Sequence, residues 1–273
     1  MSEPESASAA PHRIALTLEY DGGAFNGWQR QLAPAVSTIQ QEVESALSRI
    51  ADHPVSVICA GRTDAGVHAT CQVIHFDSAI DRGEKAWVMG ANSLLPRTVR
   101  ILSATAVQPD FHARFSAQSR RYLYLIYQRQ IASAIMHKRV THVPQLLDVE
   151  AMNTAAQSLL GEQDFTSFRA AGCQSKSSFR NVMRAEVSRR GAFVIFDIQA
   201  NAFLQHMVRN IVGALLEVGG GRQDSTWIAQ LLAQRDRTLA AITAPPDGLY
   251  LVQVGYPEHY DIPAGAVRPG FLE

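Results

Sequence analysis

The chain has 273 residues, of which 47% are hydrophobic and 18% are charged, and this composition excludes disordered, collagen-like and coiled-coil proteins. Its length allows one large or two ordinary domains, with a core that needs neither disulfides nor metal. The 25 basic and 25 acidic residues cancel overall, but residues 111–222 hold 14 Lys and Arg against 7 Asp and Glu. Such segregation indicates a side that faces a polyanion, although a genomic preference for arginine explains the 22 arginines equally well.

The cysteines predict the cellular compartment, and the absence of long apolar runs bears on membrane association. Cys59, Cys71 and Cys173 form no C-x-x-C pair, and an odd, scattered set favours a reducing cytoplasm over a disulfide framework. Residues 1–11 lack the basic start and apolar run of a secretion signal, so we expect a disordered tail. No apolar run approaches the roughly 18 residues of a spanning helix, and we expect no association with a membrane.

The first half of the chain predicts the element order β-α-β-β-α-β. Apolar and polar residues alternate over 14–20 before Asp21-Gly22-Gly23, which is typical of a strand that ends in a turn. Ser37-Thr38 precede Gln40-Gln41 at capping-box spacing, and apolar residues then recur at helical intervals to about 50. We expect the other elements of this half as strands at 54–60, 70–76 and 98–107 and a helix at 84–94.

The second half of the chain nearly repeats this order. Aromatic and branched residues predict a strand over 120–127, and amphipathic spacing predicts a helix over about 149–160. Arg190-Gly191 has the composition of a hairpin turn between two strands. The remaining expected elements are strands at 181–189, 192–200 and 249–254 and helices at 203–218 and 225–234.

These elements predict an α+β protein of two similar ferredoxin-like or RRM-like halves, whose antiparallel sheets meet at a central cleft. We expect an N-terminal half at 12–115, a C-terminal half at 116–262 and a tail at 263–273. The repeat is one of element order, since residue identity does not show it. The stretch 129–147 is either a mobile loop near the ligand or a solvated connector.

The segment GRTDAGVHA at 61–69 is the first candidate for chemistry. It places Arg62, Asp64 and His68 directly after an apolar strand, where active-site loops are often found. An aspartate followed closely by glycine is also common in turns, and composition alone favours that reading.

This segment and others along both halves carry a family resemblance. The others are LEYDGGAFNGWQRQ at 18–31, FHARFSA at 111–117, RRYLYLIY at 120–127, DFTSFRA at 164–170, HMVRNIVG at 206–213, DRTLAA at 236–241 and GLYL at 248–251. Over about residues 12–262 the chain resembles the tRNA pseudouridine synthase A family. The resemblance implies a homodimer, without cofactor, that isomerises uridine to pseudouridine at positions 38, 39 and 40 of the tRNA anticodon stem-loop.

The resemblance also implies roles for five residues. That reaction breaks the bond between ribose C1′ and uracil N1 and rejoins the base through C5, which calls for a carboxylate at the reacting atoms. By resemblance, Asp64 is the nucleophile, Arg209 its ion partner, and Tyr122 packs on the uracil ring. Arg62 contacts the RNA and Leu249 lines the pocket. Burial raises the pKa of a carboxyl group and a nearby guanidinium lowers it, so an enclosed nucleophilic aspartate needs such a partner.

Each of these assignments has an ordinary alternative. Arg209 could be a surface charge or a phosphate ligand. Its helix is otherwise apolar, however, and a charged side chain surrounded by apolar residues needs a partner of opposite charge. Tyr122 could be one more aromatic residue of a strand. Residues 110–117 and the pair Arg120-Arg121 are expected to touch phosphates, and a solvated basic face is the alternative.

Two further alternatives concern metal and reaction class. His68, Cys71 and His75 have a spacing that could suggest a metal site, but no fourth ligand is evident and we expect no metal. A catalytically silent RNA-binding or RNA-chaperone protein would use the same basic cleft. A nucleosidase would use the same aspartate but release free uracil.

Overall fold

The computed structural model describes residues 12–31, 36–263 and 265–272, and the predicted tail at 1–11 lies outside this part. The strands of the described part are β1 His12–Tyr20, β2 Ile58–Cys59, β3 His68–Ser78, β4 Val99–Ala106, β5 Ser119–Gln128, β6 Thr141–Val143, β7 Gly161–Asp164, β8 Phe179–Arg190, β9 Phe193–Ala200 and β10 Leu249–Gly255. Its α-helices are α1 Ile39–Ala51, α2 Ala91–Leu94, α3 Val149–Gln157, α4 Met207–Gly219 and α5 Trp227–Gln234.

The strands form one sheet in the order β4-β1-β3-β10-β5-β9-β8-β7, with β2 beside β3 and β6 beside β5. The junction between the halves is a short parallel pairing of β10 with β3, at Tyr250 opposite His68 and Leu251 opposite Ala69. On either side of this junction the long strands pair antiparallel. The predicted α+β class is therefore confirmed, and the two antiparallel sheets join edge to edge beneath the cleft.

The core is divided by the sheet because successive residues of a strand point to opposite faces. Tyr122 and Tyr124 of β5 belong to the large cluster, together with the buried faces of the helices. Leu123 and Leu125 of the same strand belong to a smaller cluster on the other face, and Leu272 joins them there at 2% exposure. The C-terminal residues are thus packed, and the N–H of Val267 donates to the carbonyl of Val252 at 3.0 Å.

Several elements differ from the sequence-based expectation. The strand expected at 54–60 pairs with β3 only at Ile58–Cys59, and the helix expected at 84–94 is a π-helical turn, Ala86–Gly90, followed by α2. Thr38 occupies the N-cap of α1, but its side chain makes no capping hydrogen bond. In the described residues, no helix has both the length and the apolar character needed to cross a membrane.

Candidate active site in the central cleft

A cavity of about 1060 Å³ opens over the junction of the two halves, at the upper end of the size of small-molecule sites. The five residues that the sequence singles out, Arg62, Asp64, Tyr122, Arg209 and Leu249, all line it. They come from a loop of the first half and from strands and a helix of the second. The fold therefore brings together residues that are up to 187 positions apart in the chain.

The loop that carries Asp64 is held by the turn after β1. Gly27 has φ of +87°, and a Cβ there would lie 2.9 Å from the carbonyl oxygen of Thr63 and 3.1 Å from the carbonyl carbon of Asp64. Only glycine allows this approach without strain. The N–H of Trp28 donates to the Thr63 carbonyl at 3.0 Å, and the N–H of Val67 donates to the Asp64 carbonyl at 3.2 Å. The backbone at Asp64 is thus fixed on both sides.

Arg209 reaches Asp64 from the first turn of α4. Its Nη1 lies 3.1 Å from Oδ2 of Asp64, and its Nε donates to the carbonyl of Ala244 at 2.9 Å. The arginine side chain is 15% exposed and the carboxylate 31% exposed, so the pair lies in the wall of the cleft with the acid toward the opening. A charge-assisted contact of this kind is roughly twice as strong as a neutral hydrogen bond.

His206 is a site residue that the sequence reasoning did not assign. Its Nε2 lies 3.3 Å from Oδ2 of Asp64, the same oxygen that Arg209 contacts. Its backbone is left-handed, with φ 61° and ψ 4°, which starts α4 at Met207 and not at the expected 203. In the expected helix at 203–218, His206 and Arg209 of HMVRNIVG are three residues apart and would share one face, a pattern that could have identified His206.

Tyr122 of β5 forms part of the floor. It is 8% exposed, and its ring meets Phe203 edge to face, with centroids 5.1 Å apart. Burial raises the pKa of the Tyr122 phenol, the negative charge of Asp64 acts in the same direction, and the positive charge of Arg120 opposes them. The hydroxyl is therefore protonated at neutral pH, and the ring can offer a face to a planar ligand.

The rim of the cleft carries exposed cationic and aromatic groups. Arg62 and Arg114 are exposed, and the Arg114 guanidinium lies 5.6 Å from the centroid of the Phe115 ring, which is 76% exposed. Leu249, by contrast, is 6% exposed and forms an apolar part of the wall. An exposed aromatic ring beside arginines suits single-stranded nucleic acid, whose bases stack while its phosphates pair with cations.

The expectation that Arg120 and Arg121 touch phosphates is wrong for both residues. Arg120 is 8% exposed, and its guanidinium donates to backbone carbonyls that include Ala60 at 2.9 Å and Asn201 at 3.1 Å. Arg121 lies on the opposite face of β5 from Tyr122 and binds the Asp197 carboxylate through both of its oxygens, at 2.7 and 2.5 Å. Arg120 therefore links the two halves through backbone carbonyls, and Arg121 joins β5 to β9 within the second half.

The histidines of the suspected metal spacing have other partners. His68 lies 3.2 Å from Asp21 through Nδ1, and His75 accepts the N–H of Ala113 at 3.1 Å. Burial, with help from the nearby charge of His112, lowers the pKa of His75 to about 4, in keeping with a neutral ring that accepts this hydrogen bond. Within the described ranges, no three His, Cys, Asp or Glu residues are grouped to hold a metal ion.

The stretch 129–147 packs against the turn after β1. Its strand β6 pairs with β5, Lys138 Nζ donates to the carbonyl of Gly23 at 3.3 Å, and Arg139 lies 3.5 Å from Asp21. None of these residues is among those that line the described cleft.

The family model and the similar proteins found by comparison all indicate the same family. A family model described as tRNA pseudouridine synthase matches residues 17–116 and 155–257. A relative from Enterobacter sp. (strain 638), named tRNA pseudouridine synthase A, is 55% identical over 261 residues, 96% of each chain. Proteins with the same name from Klebsiella pneumoniae (53%, covering 100% of this chain and 99% of that one) and Escherichia coli O1:K1 (54%, covering 96% of each) are similar along nearly their whole length.

Four of the five cleft residues lie within the two ranges that the family model matches. Arg62 and Asp64 lie in the first range and Arg209 and Leu249 in the second, with Tyr122 between them. Among solved structures, a chain of a Cbf5-Nop10-Gar1 complex is similar at TM-score 0.38 and 12% identity, over 89% of this chain and 49% of that one. This similarity is too low to show that the two chains share a fold.

Proposed function

This chain belongs to the tRNA pseudouridine synthase family, and we propose that Asp64 is the nucleophile with which it isomerises uridine to pseudouridine in tRNA. The reaction breaks the glycosidic bond at uracil N1 and forms a bond from C1′ to C5. The proton that leaves C5 is balanced by one gained at N1, so nothing is oxidised or hydrolysed. The observation that carries the proposal is the 3.1 Å contact between Asp64 and Arg209 in the wall of the cleft.

The position of this pair suits a carboxylate that must stay ionised while a base fills the cleft. When a nucleotide excludes water, a carboxylate loses solvation and needs a fixed cation to compensate. Arg209 supplies that charge, and its second contact with Ala244 holds it without help from solvent. A preorganised charge of this kind costs no rearrangement during the reaction.

Tyr122 supports the base in this proposal. Stacking a base on an aromatic ring is worth about 1 to 3 kcal/mol, and extruding a base from its helix costs a few kcal/mol. The ring can therefore offset much of that cost. Because the phenol is protonated, its hydroxyl can accept a proton from C5 only by passing its own proton on.

The charge of the cleft supports RNA as the ligand. Of the five arginines in its lining, Arg62 and Arg114 are exposed, and Arg209 pairs with Asp64, the single carboxylate of that lining. Such a surface binds phosphates with an affinity that falls steeply as salt is added. We propose that Arg62 contacts the RNA beside the target nucleotide, and that the targets are uridines 38, 39 and 40 of the anticodon stem-loop.

The test is pseudouridine formation in an unmodified tRNA transcript, mapped by position, for the wild type and Asp64→Asn. We expect pseudouridine at positions 38 to 40 with the wild type and none with the variant, which should still bind tRNA. Binding without product by the wild type would identify a silent RNA-binding protein. Release of free uracil would identify a nucleosidase.

We also propose that the protein acts as a cytoplasmic homodimer, with halves at 12–115 and 116–262 and no cofactor. The resemblance to the family supports the dimer, and a reaction without net redox change supports the absence of a cofactor. Sedimentation equilibrium should give twice the chain mass of 29.9 kDa, and activity should persist in a metal chelator. A mass of one chain, or loss of activity on chelation, would contradict the corresponding proposal.

A further inference from the structure

We propose that His206 is a positioning residue, which holds Oδ2 of Asp64 so that Oδ1 is the oxygen presented to the uridine. This rests on the proposed function, in which Asp64 is the nucleophile. Nothing in the roles of Arg209 and Tyr122 accounts for an imidazole at this place. Three observations lead to it: the choice of oxygen, the separate contacts of the imidazole and the guanidinium, and the backbone conformation.

The choice of oxygen is the first observation. Nε2 of His206 lies 3.3 Å and Nη1 of Arg209 lies 3.1 Å from the same oxygen, Oδ2 of Asp64. Among the residues that the structure describes, none makes a hydrogen bond to Oδ1. A carboxylate offers only acceptors, so an imidazole that carries its proton on Nε2 is attracted to Oδ2. Arg209 donates to Oδ2 and the imidazole lies beside the same oxygen, so Oδ1 keeps its lone pairs for the reaction.

The second observation is that the imidazole of His206 and the guanidinium of Arg209 contact the Asp64 carboxylate independently of each other. Arg209 reaches the carboxylate through a single nitrogen while its Nε is bound to Ala244. One hydrogen bond lets a carboxylate rotate and exchange its oxygens, whereas a second polar nitrogen close to the same oxygen opposes that rotation. Nucleophilic attack depends on the angle and distance of the attacking lone pair, so the orientation of Asp64 matters more than its charge alone.

The backbone of His206 is the third observation. Its φ of 61° is unfavourable for a residue with a Cβ, and glycine would adopt it freely. The carbonyl of His206 accepts the N–H of Asn210 at 2.9 Å and so begins α4, a task for which any residue in this conformation suffices. The 33% exposed side chain faces the cleft. Strained residues of this kind are concentrated at functional sites, and here the imidazole contacts the candidate nucleophile.

His206→Gly tests the proposal because it keeps the backbone conformation and removes only the imidazole. We expect kcat for pseudouridine formation to fall by tenfold or more, which corresponds to about 1.4 kcal/mol, while KM for the tRNA transcript changes by less than about threefold. The melting temperature should stay the same or rise. Added imidazole should restore part of kcat, because it can enter the vacated space.

Asp52→Gly is the matched control. Asp52 has φ of 60° at the far end of α1, outside the cleft lining, so glycine there relieves the same backbone strain and should leave kcat unchanged. His206→Gln carries an amide N–H of similar reach and should retain more kcat than His206→Gly. If the glycine variant does not fold, His206→Asn replaces it, since asparagine tolerates this conformation and its amide is too short to reach Oδ2.

The outcomes separate this inference from the proposed function. Wild-type protein that forms no pseudouridine would overturn the proposed function itself. Active wild type together with an unchanged kcat in His206→Gly, or in His206→Asn in its place, would overturn the role of His206. So would a raised KM at constant kcat, which would make His206 an RNA contact, or a folded glycine variant whose lost kcat imidazole does not restore.

Discussion

Arg209 and Ala244 exchange two hydrogen bonds: the Arg209 Nε donates to the Ala244 carbonyl at 2.9 Å, and the Ala244 N–H donates to the Arg209 carbonyl at 3.1 Å. The loop before β10 therefore binds both the backbone and the side chain of the arginine. Since Arg209 in turn contacts Asp64, the position of this loop determines the geometry of the ion pair.

Gly213→Ala is predicted to disturb that geometry from one helical turn away. A Cβ at Gly213 would overlap the carbonyl oxygen of Ile242, which is backbone and cannot move aside as a side chain can. We expect the free energy of unfolding to fall by about 2 to 3 kcal/mol and the rate of pseudouridine formation to fall with it. Gly270→Ala is the control, because no atom lies within 4 Å of its Cβ position. Equal stability of the two variants in urea denaturation would refute the prediction.

Arg209→Met is predicted to leave the Asp64 carboxylate without its cation. Loss of a hydrogen bond to a charged group costs about 1.5 to 3 kcal/mol, so kcat should fall roughly 10-fold to 150-fold in single-turnover assays. The kcat of Arg209→Lys should lie between those of the wild type and Arg209→Met, because lysine keeps the charge but loses the contact with Ala244. Arg222→Met removes the exposed pair with Glu217 at the other end of α4 and should have wild-type kcat. If Arg209→Met has wild-type kcat, the ion pair has no part in the reaction.

Tyr122→Ala and Tyr122→Phe are predicted to differ. The alanine variant loses the stacking surface and should bind tRNA productively about 5-fold to 150-fold less well, from a loss of about 1 to 3 kcal/mol. The phenylalanine variant keeps the ring and should bind normally, with a lower kcat if the hydroxyl relays the C5 proton. Because the pKa of Tyr122 is raised by burial, activity should show no loss from phenol ionisation below pH 10. Equal kcat and KM in both variants would exclude a stacking role.

The stability of the fold is predicted to fall between pH 6.5 and pH 4 through His75. Its pKa is about 4 in the folded protein because of burial, against about 6.5 in an unfolded chain. The neutral ring therefore contributes its full stability above pH 6.5, and that contribution is lost as the pH falls toward 4. The loss should amount to about 3 kcal/mol, at 1.36 kcal/mol for each pKa unit.

His75→Gln provides the comparison for this pH dependence. The glutamine oxygen can still accept the Ala113 N–H but does not titrate. Urea denaturation at pH 7 and pH 4.5 should show a smaller loss of stability in the variant than in the wild type. The same loss in both proteins would assign the acid sensitivity to other groups.

The sequence predicts the parts of this protein that depend on local pattern. Periodicity predicts α1 and the long strands, and the motifs that carry the resemblance contain Asp64 and Arg209. The burial of Arg120 depends instead on carbonyls from two distant segments, at Ala60 and Asn201, which no local pattern reveals. The left-handed backbone of His206 likewise results from packing around the cleft, since histidine has only a weak preference for that conformation. The expected helix at 203–218 therefore begins late.

The parallel pairing of β3 with β10 has a mechanical consequence. β3 begins four residues after Asp64, β10 begins at Leu249, and Leu251 of β10 is opposite Tyr122 of β5. The strand that follows the acid and the strands that carry the aromatic floor and the apolar wall are thus neighbours in one hydrogen-bonded sheet. A hinge motion between the halves would have to break these interstrand hydrogen bonds. We therefore expect the two halves to keep their relative position when RNA binds. The distortion required for reaction must then be borne by the RNA, and we expect stems that open easily to be modified fastest.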